Sequence, residues 1–80
     1  MAILNRVKEL REKRMRQSSQ PEQWTQESIA RKLGVTRQTV ISMEKGTYNP
    51  SLALALKLAR IFGVAVEEVF DYRDDENDTN

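Results

Sequence analysis

The sequence predicts an all-α domain, and three observations predict it. Apolar residues recur every three or four positions along several stretches. Ser or Thr precedes three of these stretches and Gly follows them, the residues that cap a helix start and let the chain leave its end with positive φ. The connections are only a few residues long, which leaves helices to pack on helices.

Residues 4–15 form the first predicted helix, with Leu4, Val7, Leu10 and Met15 spaced among Arg and Glu. Residues 16–23 are polar and contain Pro21, which predicts a loop or a frayed extension of that helix. Thr25 caps a second helix that runs through Leu33 and stops at Gly34, and Trp24 is placed to staple onto Ile29. Thr36 caps a third helix, 37–45, with Val35 and Val40 as its staple and Gly46 at its end. Tyr48, Asn49 and Pro50 turn the chain, and Ser51 caps a fourth helix that ends at Phe62 before Gly63. Part of this segment, LALALKLA, alternates as a strand would, but Leu and Ala favour helix. Residues 66–70 add a short helical turn. The folded domain is expected over 1–71, and the acidic composition of 72–80 predicts a disordered tail.

The fourth helix is apolar on nearly every side, broken only by Lys57 and Arg60 between Leu52 and Phe62. Such a helix must be covered on more than one side. Two readings stay open. It is the central core helix, or it carries a dimer interface in which Leu52, Leu56, Phe62 and the later Phe70 meet a second copy.

Composition excludes much chemistry. The chain has 80 residues, no His and no Cys. That removes the usual zinc ligands, thiol nucleophiles and imidazole bases, so neither enzyme, metal nor cofactor is expected. No apolar run is long enough to span a membrane, and no signal peptide is expected. The net charge of +1 hides a segregation. Residues 1–66 hold 12 Lys/Arg against 5 Asp/Glu, whereas 67–80 hold one Arg against 7 Asp/Glu. A basic body points to an anionic partner.

Residues 26–45, QESIARKLGVTRQTVISMEK, carry the function. Ile29, Leu33, Val35, Val40 and Met43 bury one face of each of two helices, Ala30 is small where the helices cross, and Gly34 occupies the turn between them. This is helix-turn-helix spacing. With Val40 and Met43 inward, a rotation of about 100° per residue turns Gln38, Ser42 and Lys45 outward, with Thr39 and Ile41 on the flanks and Arg37 at the exposed N-terminal end. Arg suits guanine O6/N7, Gln suits adenine N6/N7, Ile41 can touch a thymine methyl, and Ser42 can donate or accept.

The stretches WTQESIARKLGVTRQTVISMEKG, NPSLALALKLARIFGV and VEEVF, in that order over about residues 3–70, resemble the Cro/cI-type helix-turn-helix regulators. The resemblance implies a lambda-repressor-like fold of five helices, with helix 37–45 in the major groove. It implies base contacts by Arg37, Gln38, Ile41 and Ser42. Gln26, at the start of the second helix, would contact a phosphate and brace the reading helix. Thr36, Thr39, Lys45, Thr47, Tyr48 and Asn49 surround that helix and are candidates for further phosphate contacts. Arg11 and Glu44 would form a structural ion pair.

The resemblance further implies a cytoplasmic transcriptional regulator, a repressor, of bacterial or phage origin, binding double-stranded DNA as a homodimer on a palindromic operator. A competing reading keeps the fold but makes the chain an antitoxin-like module that binds a protein, with the acidic tail as the contact segment. Between Arg14 and Trp24 the chain is about eight residues longer than the family pattern, so Arg14 and Arg16 could reach flanking DNA. The ends AILN and VFDYR are short and apolar, so they could pair as a small two-stranded sheet.

Overall fold

The computed structural model describes residues 2–73. The chain enters through strand β1 (Ala2–Asn5) and helix α1 (Val7–Gln17), then a 3₁₀ turn over Pro21–Trp24. Helices α2 (Gln26–Leu33), α3 (Arg37–Lys45), α4 (Leu52–Phe62) and α5 (Val66–Val69) follow, and strand β2 (Phe70–Arg73) closes the domain. Five helices thus pack around one core beside a two-stranded antiparallel sheet. The register pairs Ala2 with Arg73, Ile3 with Tyr72, Leu4 with Asp71 and Asn5 with Phe70. No helix among the described residues is long and apolar enough to cross a membrane.

The caps form where the sequence places them. The hydroxyls of Thr25, Thr36 and Ser51 accept from the backbone N–H groups of Ser28, Thr39 and Leu54 at 3.1, 3.2 and 3.2 Å. Each satisfies an N–H that the first helical turn leaves without a partner. Gly34, Gly46 and Gly63 end α2, α3 and α4 in the left-handed region, at φ 79°, 82° and 71°. That geometry favours glycine because it has no Cβ to crowd the following carbonyl.

The core joins Val7 of α1, Ile29, Ala30 and Leu33 of α2, Val40 and Met43 of α3, Leu58, Ala59 and Phe62 of α4, and Val69 of α5. Every helix contributes, so α3 is held from several sides.

Four expectations need correction. Leu4 belongs to β1, and the first helix starts at Val7 and runs two residues past Met15. Asn5 ends the strand and starts the helix, because its side-chain oxygen accepts from the Val7 N–H at 2.9 Å. Residues 72 and 73 belong to β2, so the expected tail starts two residues too early; its remainder, 74–80, lies outside the described residues. Phe62 is fully buried and cannot meet a second copy. Exposing that ring would forgo about 1.5–3 kcal/mol of burial. Arg14 turns inward, donating from Nη2 to the Phe62 carbonyl at the end of α4, so it does not reach outward for DNA.

The lengthened α1–α2 connection is tied down. Lys32 Nζ donates to the Gln23 carbonyl at 3.0 Å and Arg11 Nη1 to the Trp24 carbonyl at 3.3 Å. Trp24 stacks on Phe62, with ring centroids 6.0 Å apart. The Arg14 guanidinium and the Lys32 ammonium lie 5.9 and 4.9 Å from its ring centre, within cation–π range. Trp24 therefore packs against Phe62 of α4 with two cations close to its ring.

Candidate nucleic-acid interface

Helix α3 has one inward and one outward face. Val40 and Met43 are fully buried. Arg37, Gln38 and Lys45 are exposed, and Ile41, Ser42 and Thr39 are half-buried on its shoulders. Among the described residues no hydrogen bond or ion pair engages the side chains of Arg37, Gln38 or Lys45. Their polar groups are available to a ligand, and a partly exposed Ile41 beside them offers an apolar contact of methyl size.

What fixes the helix is a buried polar network at its far end. Glu44 accepts from Arg11 Nε at 2.6 Å and Nη2 at 3.2 Å, and from Gln26 Nε2 at 3.0 Å. The two charged side chains are only 9% and 4% exposed. A two-pronged guanidinium–carboxylate contact fixes direction as well as distance. It ties α1, α2 and α3 together within one turn of the outward face.

Gln26 thus braces α3 through Glu44 and remains half-buried at the first turn of α2. It shares an open depression with Arg11, Met15, Thr25, Glu27 and Arg37. Thr36 and Thr39 bond one another at 3.0 Å as part of the α3 cap. Thr47 donates from its hydroxyl to the Ser42 carbonyl at 3.1 Å, while Tyr48 and Asn49 are exposed in the loop that follows. The polar groups expected around α3 therefore lie at its two ends. Thr36, Thr39 and Thr47 are also committed to holding those ends.

The helix-turn-helix family profile matches residues 7–69, which is most of the chain. The chain belongs to the Cro/cI-type, or XRE, helix-turn-helix family. Among its relatives, an uncharacterised HTH-type transcriptional regulator of Methanocaldococcus jannaschii is 62% identical over 52 residues, spanning 65% of this chain and 79% of the relative. The uncharacterised HTH-type regulator YgzD of Bacillus subtilis is 44% identical over 73 residues, or 91% of this chain and 97% of YgzD. The cryptic phage CTXphi transcriptional repressor RstR of Vibrio cholerae is 41% identical over 44 residues, spanning 55% of this chain and 40% of RstR. This XRE-family chain is a member of a family of DNA-binding transcriptional regulators.

Two positioning contacts escaped the sequence reading. Asn5 Nδ2 donates to the Met43 carbonyl at 2.6 Å, so the sheet also grips the last turn of α3. An Asn just before an apolar-periodic stretch was the available signal. Arg14, capping the α4 carboxyl end, had no such signal, since Arg on an exposed-looking helix has many possible partners.

Proposed function

We propose that this protein is a sequence-specific DNA-binding regulator, acting in the cytoplasm as a homodimer on a palindromic operator, with α3 in the major groove. The observation that carries this reading is the pairing of an unengaged Arg37 and Gln38 with a helix whose opposite face is locked. Base readout requires donors and acceptors held in register before contact, and the Arg11–Glu44–Gln26 network supports that register. Arg37 and Gln38 bind base edges near the N-terminal end of α3, with Ile41 and Ser42 one turn on. Gln26, Thr36, Thr39, Lys45, Thr47, Tyr48 and Asn49 meet phosphates on either side.

Repression is the proposed outcome, by occupying DNA that polymerase needs; the named phage relative is itself a repressor. Selecting bound duplexes from a random pool tests the reading. The expected product is an inverted repeat with half-sites about one helical turn apart. Recovery of unrelated sequences without a common motif contradicts it.

A further inference from the structure

Both donors that hold Glu44 are themselves held at Trp24. Arg11 gives Nε and Nη2 to the Glu44 carboxylate and Nη1 to the Trp24 carbonyl, the last at 3.3 Å. Gln26, the other donor, opens α2 two residues after Trp24, and Thr25 between them caps that helix. The position of Trp24 therefore reaches Glu44 by two routes, one through the Arg11 guanidinium and one along the chain.

The indole ring fixes that position. It stacks on the fully buried Phe62 with an interplanar angle of 16°. Arg14 binds the Phe62 carbonyl while its guanidinium lies near the same indole, and Lys32 approaches that ring from α2. The connection before it is different in kind. Residues 19–23 are all exposed, and Ser18 Oγ accepts from the nearby Gln20 N–H at 2.9 Å. A segment so exposed takes its order from the point where it joins the core.

We infer that Trp24 is a positioning residue for DNA recognition: its ring, docked on Phe62, aligns Arg11 and Gln26 on Glu44 and so sets the orientation of α3. The inference rests on the base-reading role of α3 proposed above and adds the residue that governs it. Trp24 acts through Arg11 and Gln26 and itself touches no DNA.

The geometry makes this link selective for α3. Glu44 stands two and three residues beyond Ser42 and Ile41, so its carboxylate anchors the turn that carries them. Arg37 shares one depression with Arg11, Thr25 and Gln26, so its surroundings move with the same groups. A planar guanidinium cannot keep both acceptors if they move apart, so a displaced Trp24 carbonyl pulls on Glu44. Helix α4 has its own core residues, Leu58 and Ala59, besides Phe62.

Amide hydrogen exchange of the free protein, and equilibrium binding to the selected operator and to bulk competitor DNA, test this in wild type, Trp24→Leu and Trp24→Phe. In Trp24→Leu, exchange within α3 should quicken about 10-fold more than exchange within α4. Its preference for operator should fall roughly 10-fold under conditions where circular dichroism shows it folded, an ordinary size for coupling between sites. Trp24→Phe keeps a ring to stack on Phe62 and should restore most of both. Equal acceleration in α3 and α4 overturns the inference, because Trp24 then only packs. Undiminished operator preference in folded Trp24→Leu overturns it as well. Should Trp24→Leu fail to fold, Pro21→Gly decides, because it frees the backbone of the connection and removes none of the contacts named above. It should show both changes at roughly 3-fold, and the absence of either overturns the inference. A wild type that prefers no duplex defeats the base-reading proposal itself. The exchange comparison then decides alone whether Trp24 positions α3.

Discussion

Replacing Glu44 with Ala removes the acceptor of three hydrogen bonds and strands the Arg11 guanidinium. Because the two side chains are only 9% and 4% exposed, water cannot take the place of the carboxylate without opening the domain. Breaking one partner of a buried pair costs about 3–5 kcal/mol, against about 0–1 kcal/mol for an exposed one. Small domains are stable by about 5–15 kcal/mol, so the loss is a large share of the total. In a domain of this size it lowers Tm by on the order of 12–40 °C. Urea denaturation and thermal melting followed by circular dichroism measure it. The double replacement Arg11→Met with Glu44→Leu should recover most of the loss, because neither charge then remains buried alone. A cost below about 1 kcal/mol for Glu44→Ala, with no recovery in the double variant, would refute the claim that this pair anchors α3.

Three further outcomes follow from the same geometry. Thr36→Ala should cost about 1 kcal/mol in urea denaturation and weaken operator binding, because the α3 end that carries Arg37 loses its cap. Arg14→Ala should cost about 1–2 kcal/mol, the worth of a cation at a helix carboxyl end and over an indole, and should shift the emission of Trp24, the single tryptophan, to the red. Lys45→Ala should weaken binding to all duplexes alike and reduce the slope of log affinity against log salt by about 0.9, as loss of one phosphate contact requires.

The helix-turn-helix was legible because its determinants are local. Thr25, Gly34, Thr36 and Gly46 set the ends of α2 and α3 by their own backbone chemistry, and the apolar spacing set their inward faces. The end of the fourth helix was equally plain at Gly63, but the fate of its apolar surface was not. Phe62 goes to the core while Leu52 and Leu56 stay outside, and only the positions of the neighbouring helices decide between them. The sheet was harder still. Its strands lie more than sixty residues apart, and Leu4 fits a helical stripe as well as a strand. The extra residues before Trp24 read as a loop because the contacts that order them come from Arg11 and Lys32, which lie on other elements. Candidate phosphate contacts could be proposed from residue type, but the use of Thr36, Thr39 and Thr47 in holding the ends of α3 follows from distances that spacing does not supply.

Base recognition by α3 is tested most directly with Gln38→Ala at the selected operator. Equilibrium binding of wild type and variant is measured across salt concentrations, each against the operator, its single-base substitutions and bulk competitor DNA. The variant should lose about 1–3 kcal/mol of discrimination at one base pair of each half-site while its salt slope stays that of wild type. An undiminished preference at every base pair would show that the outward face of α3 does not read the sequence.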